Sequence, residues 1–122
     1  MNYRLLFAGV SEAEAQRLEA MAVQLGMTLN TALMAQVVER ARAEKPHLVV
    51  LDISDSSVAM EVLGHLKTHA KTRDLQVMVL ADREDPEERE IALDLGAAGY
   101  VTKPITADFL AKLSAFLSNQ GD

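Results

Sequence analysis

The sequence predicts an α/β fold: a doubly wound, five-stranded parallel sheet with five helices. Apolar runs alternate regularly with amphipathic segments along the chain. Two of these runs, 48–51 and 75–81, are almost uninterrupted by polar residues, which is typical of strands buried on both faces. Because such a sheet needs helices on each side and its crossovers are right-handed, the alternation indicates a doubly wound arrangement.

The order of the elements follows from these patterns and from the residues that start and stop helices. Ser11 and Glu14 form a capping box that starts the first helix, and Gly26 ends it. Asp85 and Pro86 start the fourth helix as its cap and its first-turn proline. The predicted strands are 3–8, 27–33, 47–53, 75–81 and 99–102, and the predicted helices are 11–25, 36–43, 58–70, 85–96 and 106–119. The helical residues expected to face the core are Ala15, Leu18, Ala22, Leu25, Val37, Val38, Ala41, Val62, Leu63, Leu66, Phe109, Leu110, Leu113, Phe116 and Leu117.

Length and composition narrow the possible functions. With 122 residues, 49% of them hydrophobic and 25% charged, the chain has the size and composition of one ordinary globular domain. The absence of cysteine excludes disulfides and thiolate metal sites. A net charge of −6 without a basic block disfavours binding to nucleic acid or to anionic membranes. The apolar run 5–10 is too short for a membrane span and lacks a cleavage region, so we expect a cytoplasmic protein.

Candidate site residues lie where the predicted strands end. Asp52 ends the third strand, Asp82 follows the fourth, and Lys103 follows the fifth, whereas the first strand ends at Gly9 and Val10. Ligands of doubly wound sheets bind beyond the carboxyl ends of the strands. We therefore expect any site to lie at this edge.

Three segments give the chain a family resemblance. They are 69–74, 85–97 and, most specifically, Gly-Tyr-Val-Thr-Lys-Pro at 99–104, which follows a strand that ends in aspartate. Over essentially its whole length, the chain resembles a response-regulator receiver domain of two-component signalling. The resemblance implies a single receiver domain over residues 1–122, with a CheY-like, flavodoxin-like fold and strand order 2-1-3-4-5.

The resemblance also implies roles for particular residues. Asp52 matches the aspartate that accepts a phosphoryl group from a histidine kinase, and Lys103 matches the family's lysine. Tyr100 keeps the aromatic switch position.

The sequence departs from the family at other site positions. Gly9 and Val10 replace two acidic residues that hold magnesium, and Ala81 replaces a hydroxyl residue that senses the phosphoryl group. Because magnesium prefers oxygen ligands, we expect its binding to be weak or absent and assign no cofactor. We favour an ion pair between Asp52 and Lys103 over a working phosphoacceptor.

Several alternative interpretations remain open. Glu12, Asp55 and Asp82 could form a substitute metal site, although an acid in a first helical turn is common for dipole reasons alone. His65 and His69 have the spacing of a zinc pair but lack an evident third ligand.

Three functions from different classes therefore remain. We favour a non-enzymatic, atypical receiver (a pseudo-receiver) that binds a signalling partner, either a histidine kinase or a downstream protein. The second is a working response regulator phosphorylated on Asp52. The third is a small flavodoxin-like enzyme or nucleotide binder, which lacks support because no phosphate-binding glycine motif is present.

The resemblance also indicates a surface for partners. In the family, the fourth helix, fifth strand and fifth helix commonly form a partner or dimer face, so a homodimer through this face is a further expectation. Tyr100 is expected to be its aromatic anchor, with mixed charges around it, although it could instead be a plain packing residue.

Overall fold

The computed structural model describes residues 2–54 and 58–120. These residues form five strands, five α-helices and one short 3-10 helix. The strands are β1 (Arg4–Ala8), β2 (Thr28–Ala32), β3 (Leu48–Asp52), β4 (Gln76–Ala81) and β5 (Gly99–Thr102). The helices are α1 (Glu12–Gln24), α2 (Val37–Glu44), α3 (Ala59–Thr68), α4 (Pro86–Asp94) and α5 (Ala107–Gln120), and the 3-10 helix is Met34–Gln36.

All four strand pairings are parallel, and the sheet order is β2-β1-β3-β4-β5. The predicted fold class and strand order are therefore confirmed. Central strand β3 is buried along its entire length, as its uninterrupted apolar sequence predicts. None of the helices in the described part of the chain is long and apolar enough to cross a membrane.

Two hydrophobic clusters cover the two faces of the sheet. Successive side chains of a strand point to opposite faces, so Leu6 belongs to the cluster that includes residues of α2, α3 and α4, whereas Phe7 belongs to the cluster that includes residues of α1 and α5. Both side chains are fully buried. Burying one such side chain contributes roughly 1.5–3 kcal/mol, and the two clusters together hold the strand ends in register.

The start of α1 forms only half of the predicted capping box. The Ser11 hydroxyl accepts the main-chain N–H of Glu14 at 3.1 Å. The Glu14 carboxylate does not return to the Ser11 backbone but pairs with Arg17 one turn later. At the other end, Leu25 is 38% exposed, so the prediction that it faces the core is wrong. It caps the helix just before Gly26, whose φ of +74° is the left-handed conformation that commonly ends a helix.

The second helical segment begins and ends differently from its prediction. The 3-10 turn Met34–Gln36 precedes α2, and α2 extends to Glu44. Lys45 then adopts a left-handed conformation with φ of +49°. Pro46 explains the stop, because a proline disfavours helical geometry in the residue before it.

A histidine lies at the amino edge of the sheet, where β1 and β3 begin. The main-chain N–H of Arg4 donates to His47 Nδ1 at 3.0 Å, and the N–H of His47 donates to the Arg4 carbonyl at 2.8 Å. The Arg4 guanidinium also donates to the carbonyls of Glu44 and Lys45. Burial, and then the Arg4 charge, lower the pKa of His47. The neutral imidazole is therefore the form that fits this edge.

This arrangement makes stability depend on the pH near neutrality. Because the folded pKa of His47 lies below its ordinary 6.5, the unfolded chain binds the proton more tightly. The stabilisation is fully present above the unfolded pKa and is lost as the pH falls through the folded pKa. We expect urea unfolding between pH 7 and pH 5 to show a steeper loss of stability in the parent than in His47→Gln. Equal slopes in the two proteins would show that this imidazole is not involved.

Candidate functional site at the carboxyl edge of the sheet

The strand register brings the predicted site residues to one edge. Asp52 is paired with Leu80, and Ala81 with Thr102. The N–H of Lys103 donates to the Ala81 carbonyl at 2.9 Å, which carries the sheet pairing one residue past β5. The side chains of residues 52, 82 and 103 consequently meet at the ends of β3, β4 and β5.

A single ammonium group joins two carboxylates at this edge. Lys103 Nζ lies 2.8 Å from Asp52 Oδ2 and 3.2 Å from Asp82 Oδ1. The second oxygen of Asp52 accepts the main-chain N–H of Ser54 at 2.9 Å. Asp52 is only 5% exposed, whereas Asp82 is open to solvent. Both oxygens of the buried carboxylate are therefore occupied by donors of the chain itself.

The charges of this cluster stabilise one another. Burial alone lowers the pKa of Lys103, but the hydrogen bonds to Asp52 and Asp82 outweigh burial and leave the pKa above its ordinary value. The hydrogen bond from Lys103 lowers the pKa of Asp82. Lys103 is thus held as a cation at neutral pH.

An ion pair on α1 that sequence reasoning missed borders the same site. Glu14 and Arg17 form a bidentate pair, with nitrogen–oxygen distances of 3.1 and 2.5 Å. The hydrogen bond from Arg17 lowers the pKa of Glu14, and the charge of Lys103 lowers it further. The i,i+3 spacing of the two residues is the sequence signal for this pair. A cavity of about 450 Å³ over Asp52 is lined by Gly9, Ser11, Glu14, Arg17, Asp52, Lys103 and Pro104.

Gly9 packs tightly against the backbone of β3. A Cβ at this position would lie 3.0 Å from the Asp52 carbonyl oxygen and 3.0 Å from Met34 Cε. The φ of Gly9 is +88°, a conformation that disfavours any side chain. The Met34 contact was not predicted, because it depends on the 3-10 turn after β2. A side chain at position 9 would therefore require both a backbone change and movement of Met34.

Of the proposed substitute metal ligands, Asp82 lies in the Asp52 cluster, whereas Glu12 does not line the cavity over Asp52. Glu12 and Val10 line a separate cavity of about 500 Å³, together with Arg40. Asp55 lies outside the described residues. Within 2–54 and 58–120, no three His, Cys, Asp or Glu side chains are grouped so that they could hold a metal ion. His65 and His69 stack with their ring centroids 5.7 Å apart.

Tyr100 is held inward by a second set of charged residues. It is 3% exposed, and its hydroxyl lies 2.6 Å from Glu88 Oε1 and 3.2 Å from the Arg83 carbonyl oxygen. Burial, and then the Glu88 hydrogen bond, raise the pKa of Tyr100 to about 12. The Arg89 guanidinium lies 5.1 Å from the ring centroid and is paired with Glu84. In this conformation Tyr100 is a buried packing residue, which is the alternative left open by the sequence.

Ala81 ends β4 and belongs to the same hydrophobic cluster as Tyr100. It is 3% exposed and contributes no hydroxyl. The acceptor that satisfies the Tyr100 hydroxyl is accordingly Glu88 on α4. Next to Ala81, a cavity of about 590 Å³ is lined by Ile53, Ser54, Ala81, Asp82, Arg83, Asp85 and Glu88.

Comparison with known proteins agrees with this architecture. The family model described as the response regulator receiver domain matches residues 11–114, which is most of the chain. This chain therefore belongs to the response regulator receiver domain family. The matched range begins after Gly9 and Val10.

Curated relatives are longer than this chain. The transcriptional regulatory protein KdpE of Mycobacterium tuberculosis is 38% identical over 112 residues, which cover 87% of the chain and 48% of KdpE. The phosphate regulon transcriptional regulatory protein PhoB of Pseudomonas aeruginosa is 29% identical over 118 residues, covering 92% of the chain and 52% of that protein. The PhoB of Escherichia coli is 32% identical over 74 residues, or 59% of the chain and 32% of that PhoB. The chain thus spans about half of these relatives or less.

Solved structures show the same fold. A response regulator from Thermotoga maritima superposes with a TM-score of 0.83 at 18% identity, covering 98% of this chain and 99% of that one. The chemotaxis protein CheY4 of Vibrio cholerae superposes with a TM-score of 0.84 at 16% identity, covering 96% and 99%. At these identities, the likeness concerns the fold.

The contact between Lys103 and Asp52 can be tested by measuring protein stability. Lys103→Met should lower the free energy of unfolding by about 1–3 kcal/mol, because the buried Asp52 carboxylate loses its cation. Asp82→Asn is the matched control and should cost much less, because its carboxylate is open to solvent. Urea unfolding at pH 7 measures both. Equal losses for the two variants would contradict the assignment of Asp52 as the main partner of Lys103.

The contact between Tyr100 and Glu88 can be tested by titrating the tyrosine. In a Tyr3→Phe background, ultraviolet absorbance follows Tyr100 alone. Glu88→Gln should lower the pKa of Tyr100 from about 12 while leaving it above 10.0, because burial remains. Since the folded pKa is raised, the parent's stabilisation is present below pH 10 and falls as the pH rises towards 12. An unchanged tyrosine pKa would show that Glu88 does not hold the hydroxyl.

Proposed function

We propose that this chain is an atypical receiver domain that signals through protein–protein contacts, without magnesium-dependent phosphoryl transfer. Membership of the receiver family supports the assignment as a receiver domain. One observation supports the proposed lack of magnesium-dependent phosphoryl transfer: the Lys103 ammonium already bridges Asp52 and Asp82. The cation at the centre of the site then belongs to the chain itself.

The donor set at this edge does not suit magnesium. Magnesium demands near-octahedral oxygen ligands and usually takes one or two carboxylates. Here the Asp52 oxygens are bound by Lys103 and by the N–H of Ser54. Gly9 offers no side-chain ligand, and its φ and the Met34 contact disfavour any replacement. A divalent ion would have to displace the ammonium and would gain few ligands in return.

Phosphoryl transfer to Asp52 is correspondingly disfavoured. Enzymatic transfer of this group relies on positioning and on cations that neutralise the charge on the phosphoryl oxygens. In this site two carboxylates already share the charge of Lys103, and Arg17, which lines the same cavity, is paired with Glu14. A phosphodonor would therefore meet the negative charges of Asp52, Asp82 and Glu14 with little compensation.

The inward position of Tyr100 supports a signal that does not depend on Asp52. Its hydroxyl is bound by Glu88 on α4, and Arg89 of the same helix covers its ring. Ala81 offers no hydroxyl that would tie this tyrosine to the state of the carboxylate. We propose that the surface formed by α4 and β5 is available to a partner in the resting protein.

The partner is a signalling protein, either a histidine kinase or a downstream protein. KdpE and PhoB are named as transcriptional regulatory proteins and are about twice the length of this chain. With a net charge of −6, this domain itself is not suited to bind nucleic acid. We assign no reaction to the chain, and we place it in the cytoplasm, as expected of two-component signalling.

A working phosphoacceptor is the second candidate. The retained Asp52–Lys103 pair and the cavity over it favour this alternative, because a small phosphodonor could enter there. Its metal would have to use ligands other than positions 9 and 10.

Magnesium and a phosphodonor separate these two functions. We expect millimolar magnesium to leave the amide spectrum around Asp52 unchanged, and acetyl phosphate with magnesium to add no phosphoryl mass. Asp52→Asn is the control for modification at other residues. Saturable shifts near Asp52, together with a phosphoryl adduct that Asp52→Asn abolishes, would establish the phosphoacceptor function. In an assay of partner-dependent signalling, Asp52→Asn should retain activity.

A further inference from the structure

The amino edge of the sheet is joined to the last turn of α5 by a tyrosine. Tyr3 immediately precedes β1 and is 8% exposed. Its hydroxyl lies 2.9 Å from the Ser118 hydroxyl of α5, and the two groups share a hydrogen bond. Tyr3 also belongs to the hydrophobic cluster that contains Leu113 and Leu117 of the same helix. One side chain thus holds the end of α5 by a polar and an apolar contact.

The same tyrosine contacts His47. The ring centroids of Tyr3 and His47 are 5.2 Å apart, and the ring planes are nearly perpendicular, at 89°. This edge-to-face geometry is favourable for aromatic pairs. The main-chain carbonyl of Tyr3 accepts the N–H of Thr28 at 2.9 Å, so the sheet fixes the backbone of the tyrosine. A movement of the His47 ring is therefore taken up by the Tyr3 side chain.

The position of the His47 ring requires an unprotonated Nδ1. This nitrogen accepts the main-chain N–H of Arg4 at 3.0 Å, which needs its lone pair. A protonated imidazole carries a hydrogen on both ring nitrogens, so Nδ1 would face the Arg4 N–H as a second donor. The ring would then have to turn away from Arg4, and its perpendicular contact with Tyr3 would change with it.

The charged residues at this edge favour the neutral ring. Arg4 is the charge on β1 that acts on His47, and Lys45 brings a second positive charge at the end of α2. The Glu44 carboxylate beside it is paired with an arginine of its own helix. Burial, and then the Arg4 charge, lower the pKa of His47, which agrees with the geometry. The three side chains are therefore in contact at neutral pH.

We infer that His47, Tyr3 and Ser118 form a pH-sensitive switch, in which protonation of His47 releases the last turn of α5 from the sheet. As the pH falls through the folded pKa of His47, the imidazole turns away from Arg4. Tyr3 then loses its perpendicular partner and its hydrogen bond to Ser118. The switch lies at the edge of the sheet opposite to the Asp52 cluster and is independent of the proposed function.

NMR titration of the whole chain tests the coupling between the two ends of this switch. Between about pH 8 and pH 5, we expect the amide resonances within 116–119 to shift with the same midpoint as the His47 ring. His47→Gln should abolish these shifts. The double variant His65→Gln/His69→Gln removes the other two histidines of the chain and should retain them. Unchanged α5 resonances while His47 titrates would overturn the inference, as would parent-like shifts in His47→Gln.

Tyr3→Phe tests the route of the signal, because it keeps the ring and removes only the hydroxyl. The His47 ring should still titrate in this variant, but the amides within 116–119 should no longer follow it. Ser118→Ala removes the same hydrogen bond at an exposed position, where the substitution is compatible with folding, and should have the same effect. Parent-like coupling in these variants would show that the hydrogen bond does not transmit the change, and would overturn the inference.

Hydrogen exchange measures the release of the helix end. Loss of one hydrogen bond corresponds to roughly a fivefold change in local opening, so the protection factors of amides within 116–119 should fall by about that factor when His47 is protonated. Ser118→Ala should show the same lowered protection at neutral pH. Equal protection of these amides at both pH values would overturn the inference. Loss of the folded Val50 and Leu51 signals of β3 over the same pH range would also overturn it, because the whole domain would then be unfolding.

Discussion

The rest of this structure depends on a sheet that is buried on both faces. β3 runs through its centre with every residue enclosed, so the chain can present polar groups only where strands end. Parallel pairing places the carboxyl ends of all five strands at one edge. Asp52, the last residue of β3, is consequently a carboxylate that is mostly buried and needs a partner.

Lys103 provides that partner and thereby sets the chemistry of the site. Its ammonium lies between a buried and an exposed carboxylate, and the Lys103 side chain itself remains 30% exposed to solvent. A lysine ammonium is a compact point charge with three donors, which suits such bridging. A site organised around a covalently attached cation has less to gain from a bound metal.

The two charged clusters have different structural roles. The Asp52 cluster closes the sheet edge, and the cluster of Glu84, Glu88 and Arg89 holds Tyr100 against α4.

Sequence alone was sufficient for the class of fold, the strand edge that carries the site and the pairing of Asp52 with Lys103. The fold class depends on hydrophobic runs, which are local in the sequence. The site edge depends on the topological rule that the carboxyl ends of parallel strands lie together, and this rule also brings Asp52 and Lys103 to one edge. Even the ends of most elements followed from capping residues such as Asp85.

Contacts between distant segments could be known only from the tertiary structure. The sequence placed Glu12 near the site, whereas the helix orientation brings Glu14 and Arg17 to the cavity over Asp52. Met34 reaches Gly9 because a 3-10 turn redirects the chain after β2. Tyr100 is buried because the start of α4 folds over it, a packing that no residue pattern within β5 encodes. Burial of a side chain and the direction in which it points are decided by which segments pack together, and that is a property of the whole chain.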